Sequence, residues 1–326
     1  MKVCIVGAGA IGGWIGARLA AAGQCEVTAL ARGATLAALR THGWRLESPE
    51  APAHAPARAS DRADELGPQD LVVIAVKGPA LAAAAASLAP LLGPQTSVLP
   101  AMNGVPWWFC QGLPGWADRP LQSVDPGGTI AAAIDHARVI GCVVHASAAV
   151  AEPGRIVHHR GQGLIVGEPA GGRSERVDRL VALLAGAGFD ATASADVRQD
   201  IWYKLWGNMT MNPVSAITGA TLDIVLADPL VRDFCSAAMA EAAAIGQRIG
   251  CPIAQAPEDR HAITARLGAI RTSMLQDVEA GRAIELDAIV TAVHEIGGQV
   301  GVPTPNIAAL LGLTRLFARQ RGLYPL

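Results

Sequence analysis

Lys204, Asn208 and Asn212 recur at i, i+4 and i+8, a spacing that lines one face of a helix. Ile201, Leu205 and Met209 supply an adjacent apolar stripe. A lysine flanked by two amides on a mostly apolar helix has a use other than solubility, although on spacing alone a solvated polar stripe fits equally well. Further along, Thr272 to Asp277 contains Ser273, and Glu285 sits in an apolar setting just after a break at Gly281. A carboxylate that can reach a lysine holds it charged and aimed. Lys77 and Asn103 each follow the C-terminal end of an expected parallel strand, the edge at which open α/β sheets bind ligands.

A second constellation lies at the start of the chain. Gly7-Ala8-Gly9-Ala10-Ile11-Gly12 fits GxGxxG, between the apolar run Val3 to Val6 and a helical stretch from Ile11 to Ala22. In that context Gly7 permits a tight turn, Gly9 lets the backbone approach a pyrophosphate, and Gly12 lets helix and strand pack closely. The amides at the helix start then face phosphate charge. The motif therefore reads as a dinucleotide site. Its second strand, Val27 to Leu30, ends in Ala31-Arg32-Gly33 with no acid to accept from ribose hydroxyls, and Glu26 stands at the wrong end. Arg32 is placed to pair with a 2′-phosphate, which points to NADPH.

These residues need a doubly wound frame. Leu71 to Val76 and Ser97 to Leu99 read as further buried strands, separated by an alanine-rich helix from Pro79 to Leu92. Between Leu121 and Gly167, β-branched runs such as Val139 to Val144 and Leu164 to Val166 read as strands extending that sheet, antiparallel in part. From Val197 onward strand signals vanish. Helices are expected over Gln199 to Met211, Asp228 to Ile249, Ala256 to Gly281 and Ile284 to Val300. The fold class is α/β, with an N-terminal Rossmann-type doubly wound sheet and an all-helical C-terminal domain. The expected domains are 1–196 for the dinucleotide and 197–326 for substrate and catalysis.

Composition excludes several function classes. Two domains suit 326 residues, half of them apolar. A net charge of -2 with scattered basic residues gives no reason to expect nucleic acid or an anionic membrane. No apolar run is long enough to span a bilayer, and the glycines in the first stretch argue against a signal peptide. The six cysteines have no metal-ligand spacing and read as buried thiols in a reducing, cytoplasmic compartment. His145, His158 and His159 have no acid or cysteine at metal spacing, so no metal is expected. Ser123, Ser147 and Ser215 lack a nucleophile-elbow context. The alanine and leucine of the helical half leave room for a homodimer face.

Taken together these pieces resemble the ketopantoate reductase family. The likeness is carried by the glycine loop with Arg32, Val76-Lys77, Met102-Asn103-Gly104-Val105, the Lys204/Asn208/Asn212-Pro213 helix, and Ser273 to Asp277 with Glu285-Leu286-Asp287, in the family's order. It implies NADPH-dependent reduction of a small 2-keto acid, foremost 2-dehydropantoate to D-pantoate in pantothenate biosynthesis. It further implies that Lys204 is the general acid and that Glu285 hydrogen-bonds substrate and orients the lysine. Asn208, Asn212 and Ser273 would hold the keto acid, while Asn103 and Lys77 would line the cofactor side of the cleft, with Asn103 also counted toward substrate.

Two departures bear on substrate. Family members best established as ketopantoate reductases carry a further substrate-contacting asparagine, where this chain reads Gly219-Ala220-Thr221-Leu222. Val105 to Phe109, with Trp107 and Trp108, is bulkier than expected; it is either ordinary packing or a pocket wall selecting another branched or aromatic 2-keto acid, as in a D-2-hydroxy-acid dehydrogenase. An opine-type imine reductase would need an amine co-substrate. A non-catalytic NADP(H)-sensing protein has no need for Lys204 and Glu285 together.

Overall fold

The computed structural model describes residues 1–113, 116 and 119–326. The chain folds as two compact units, one of Met1–Met102 with Gly128–Asp200 and one of Asn103–Gly127 with Ile201–Leu326. These units differ from the single cut expected between 196 and 197. Described side chains of the segment 103–127 pack within the second unit. Trp107, Trp108 and Phe109 are buried, and Phe109 stacks on Trp202 with ring centroids 5.9 Å apart. The Trp107-Trp108 pair is thus core packing.

The first unit opens with β1 (Lys2–Val6), α1 (Ala10–Ala22) and β2 (Glu26–Leu30), the expected βαβ start. Then follow α2 (Gly33–His42), β3 (Trp44–Glu47), β4 (Ala53–Ala55), β5 (Arg58–Ser60), β6 (Gln69–Ile74), α3 (Gly78–Ala85) and β7 (Leu92–Pro100). After residue 127 come α4 (Thr129–Ala133), β8 (Gly141–Glu152), β9 (Arg155–Gly167), α5 (Glu175–Gly186) and β10 (Asp190–Ser194). The first sheet is all parallel, in the order β5-β2-β1-β6-β7. The chain reverses its direction of winding between β1 and β6, which creates the switch point where such sheets bind ligands.

The strands after residue 121 do not extend this sheet. They build a second one, in which β8 pairs antiparallel with β9, and β9 pairs parallel with β10 and β3. A single parallel bridge, Val98 to Val139, joins the neighbourhood of β7 to this region. The physical reason lies in α1, which packs against strands of both sheets. Trp14, Ile15, Ala17 and Leu19 are all buried, and a helix buried all round needs cover on two sides. Its small residues set the spacing. A Cβ on Gly13 would lie 2.6 Å from Ile156 of β9, and one on Gly16 only 2.5 Å from the Trp44 ring of β3.

The described part of the second unit contains helices and no strand. These are α6 (Val197–Thr218, with its first four residues in the first unit), α7 (Leu222–Ala227), α8 (Pro229–Arg248), α9 (Pro257–Ala265), α10 (Ser273–Glu279), α11 (Ala292–Gln299) and α12 (Pro305–Gln320). A π-helical turn, Asp287–Thr291, precedes α11. The helix expected over Ala256 to Gly281 is two helices, the first ending at Ala265 and the second beginning at Ser273, with Gly268 at φ +72° in the break between them. Polar caps fix the starts. Asp228 accepts from Val231 N at 3.0 Å ahead of Pro229, and Glu241 of α8 accepts from Asn306 N and Ile307 N at 2.9 and 3.0 Å at the start of α12. Each such cap contributes about 1 kcal/mol. No described helix is long and apolar enough to cross a membrane. No group of three or more His, Cys, Asp or Glu among the described residues could hold a metal ion.

Candidate active site

In the first unit the candidate site lies along the C-terminal edge of the parallel sheet. Successive strand ends are tied there by backbone bonds. Gly7 N donates to Leu30 O at 3.1 Å, Ala75 N to Val6 O at 2.9 Å, and Ala101 N to Ile74 O at 2.8 Å. The glycine loop, Arg32 and Lys77 therefore leave the sheet at one edge. Gly7 adopts φ +89°, and a Cβ there would lie 2.6 Å from Val76. A Cβ on Gly12 would lie 2.1 Å from Gly7 O, so helix and turn close only around glycine.

Gly9 differs from both. It caps α1 with φ -80° and ψ -155°, and nothing stands within 4 Å of where its Cβ would be. No acid occupies the first turn of α1 and no side chain caps it. A helix N-terminus with open space over its capping glycine suits an anionic pyrophosphate. The residues present thus fit a dinucleotide. Arg32 sits two residues beyond β2 as the exposed N-cap of α2, and its guanidinium makes no hydrogen bond or ion pair among the described residues. Glu26, at the far end of β2, pairs instead with Arg58 at 3.3 Å. Lys77 is exposed at the N-cap of α3, just past β6.

The second unit carries the lysine. Lys204 is half-buried on α6, and its Nζ donates to Asn103 Oδ1 at 2.8 Å. Asn103 lies 101 residues away in sequence. The sequence reading set it with cofactor and substrate and gave the orienting role to Glu285; the structure adds Asn103 as a direct partner of the lysine. Its turn is built for the purpose. Gly104 has φ +82°, and a Cβ there would come within 2.5 Å of Ala288 O. Val105 N donates to the same carbonyl at 2.7 Å.

Asn208 and Asn212 follow Lys204 on α6 at one-turn intervals. Asn208 is half-buried and Asn212 only 6 % exposed. Ser273 is the exposed first residue of α10, whose start is fixed by Thr272 Oγ1 accepting from Leu275 N at 3.2 Å. Glu285 is half-buried in the stretch between α10 and the π-helical turn. Sequence reasoning missed the groups that shape this stretch. The buried Asp277 accepts from Arg282 Nε at 3.0 Å and closes the loop behind α10. Asp287 Oδ1 accepts from Thr291 Oγ1 at 3.0 Å and from Tyr324 at 2.6 Å. Asp277 and Asp287 were visible as acids beside Ser273 and Glu285, but nothing in their spacing gave their partners.

Comparison with known proteins gives a consistent picture. Residues 3–111 match the model of Ketopantoate reductase PanE/ApbA, and residues 196–318 match that of its C-terminal part. A 2-dehydropantoate 2-reductase of Mesorhizobium japonicum is 46% identical over 325 residues, covering 99% of this chain and all of that protein. A crystal structure from Ralstonia solanacearum MolK2, provisionally assigned as a ketopantoate reductase, superposes with TM-score 0.95 at 56% identity, covering 99% of each chain. A D-mandelate dehydrogenase solved with NADH and anilino(oxo)acetate shares the fold, with TM-score 0.84 at 19% identity, covering 99% of this chain and all of that one. With both halves matched and a relative of that identity spanning the whole length, the chain belongs to the ketopantoate reductase family, NAD(P)-dependent enzymes that reduce 2-keto acids.

Proposed function

We propose that this protein reduces 2-dehydropantoate to D-pantoate with NADPH, in the reducing environment of the cytoplasm. The observation that carries the reading is the Lys204–Asn103 pair at 2.8 Å, a cation aimed by a distant amide. NADPH supplies the hydride when bound, and Gly7, Ala8, Gly9, Ala10, Ile11 and Gly12 would hold its pyrophosphate. Arg32 would pair with the 2′-phosphate, since an uncommitted guanidinium suits a dianion and the strand end offers no acid to a 2′-hydroxyl. Lys77 would add a second cation at the same edge.

Reduction adds a hydride to the carbonyl carbon and a proton to its oxygen. Lys204 Nζ would give that proton, while Asn103 helps to hold the ammonium in one rotamer. A preorganised cation lowers the cost of the developing alkoxide most where water is scarce. Asn208, Asn212 and Ser273 would bind the keto acid. Neither asparagine amide is bonded to another described residue, and a largely buried amide that the protein leaves unbonded is a ligand group in waiting. Glu285 would accept from the substrate hydroxyl and keep the lysine charged. The six free thiols fit a reducing compartment.

The test is a panel of 2-keto acids, assayed by loss of NADPH or NADH absorbance. Ketopantoate is expected to give the highest kcat/KM, and NADPH to exceed NADH. Turnover confined to other branched or aromatic 2-keto acids would reassign the substrate.

A further inference from the structure

We propose that Tyr324 is a positioning residue for the Glu285 carboxylate, acting through its hydrogen bond to Asp287. The proposal rests on the reading of Glu285 given above. Residues 282–285 have no regular structure, and a carboxylate on such a stretch is only as well aimed as the backbone that carries it. That backbone is pinned on both sides of Glu285 by residues beyond α12. Ile284 N donates to Leu323 O at 3.1 Å. On the other side, Tyr324 OH donates to Asp287 Oδ1 at 2.6 Å.

The pinning segment is itself fixed. Arg319 Nε donates to Pro325 O at 2.8 Å, and its guanidinium lies 5.7 Å from the centroid of the Tyr324 ring. Leu323, Ile284 and Leu286 are buried, so the clasp closes over apolar contacts. Burial and the neighbouring Asp287 push the Tyr324 phenol up to about 12, so its hydroxyl stays a donor throughout the neutral range.

The same turn serves the lysine. Asp287 opens the π-helical turn, a local departure that often marks functional sites. The next residue, Ala288, is the one on which Gly104 and Val105 dock, and Asn103 precedes them. One short turn therefore adjoins Glu285 on one side and receives, on the other, the loop that holds Lys204. Tyr324 is the clamp on that turn.

Tyr324→Phe deletes the hydroxyl and keeps the ring. It is expected to lower kcat for the keto acid about tenfold, with the KM for NADPH unchanged and Tm within a few degrees of wild type. In a Glu285→Gln background the same change is expected to add less than about twofold, because the two residues act as one unit. Asp287→Asn keeps an acceptor for the phenol and should retain most of the activity, whereas Asp287→Ala, which also loses the bond from Thr291, should cost at least as much kcat as Tyr324→Phe. Should Tyr324→Phe fail to fold, the Asp287 pair carries the same test. A defective Glu285→Gln beside an unchanged Tyr324→Phe, or effects that multiply in the double variant, would overturn the proposal alone. Wild-type kcat in Glu285→Gln would sink the reading of Glu285 and this proposal with it.

Discussion

At the glycine loop the backbone makes the candidate cofactor site, whereas at Lys204 the candidate catalytic site is made by side chains that meet from distant parts of the sequence. Gly7, Gly9 and Gly12 lie within six residues and act by having no side chain: one turns, one leaves room, one lets the helix close. Lys204 depends on Asn103, which is 101 residues away, and the Asn103 turn depends in turn on Ala288. Local backbone geometry and long-range side-chain packing fail in different ways. Damage to the first should abolish cofactor binding, and damage to the second should slow turnover while leaving the cofactor bound.

The largest expected effect is Gly12→Val. Its Cβ would meet Gly7 O at 2.1 Å, far inside contact, so α1 must move off the turn. NADPH affinity, measured by fluorescence titration, should fall by at least about a hundredfold, with a lower Tm from the overpacked core. Next comes Asn103→Ala, which removes the amide that accepts from Lys204 Nζ. It should lower kcat by about thirtyfold, as for loss of one preorganised hydrogen bond near the reacting group, and weaken NADPH binding far less than Gly12→Val does. Equal losses of binding in both variants would erase the contrast.

Arg32→Ala sharpens the first half of the comparison. Losing a charge-assisted contact to the 2′-phosphate should raise the KM for NADPH about tenfold and leave that for NADH unchanged. The smallest effect concerns stability of the first unit. Arg176 of α5 holds Glu168 and donates to Ala137 O and Val139 O at 2.6 and 3.1 Å. Hydrogen bonding from Arg176 keeps the Glu168 carboxyl below its usual range. A carboxylate depressed in the folded state stabilises above its unfolded pKa, and that stability is lost as pH falls through the folded value. Glu168→Gln should therefore cost about 1 kcal/mol near neutral pH, and the cost should shrink as pH falls below the usual glutamate range and on through the depressed folded value, read from Tm against pH.

The same contrast explains what the sequence disclosed. The strand-glycine-helix start was legible because every residue in it acts on its neighbours. The Lys204/Asn208/Asn212 face was legible because helical periodicity is local too. The second sheet was not, since nothing in Val139 to Val144 reveals that α1 needs cover on its other side. Nor was the membership of 103–127 in the helical unit, which follows from Phe109 finding Trp202. Trp107 and Trp108 left two readings open in sequence, and only their burial chose packing. The part played by Tyr324 was invisible for the same reason, as its partner Asp287 lies 37 residues away.

The central claim is that Lys204 gives the proton in NADPH-dependent reduction of a 2-keto acid. Its most direct test is the initial rate of ketopantoate-dependent NADPH oxidation by wild type and Lys204→Ala, with NADPH affinity measured on the same preparations. The account predicts a kcat loss of at least about a hundredfold at unchanged NADPH affinity. Turnover by Lys204→Ala within a few-fold of wild type would contradict it.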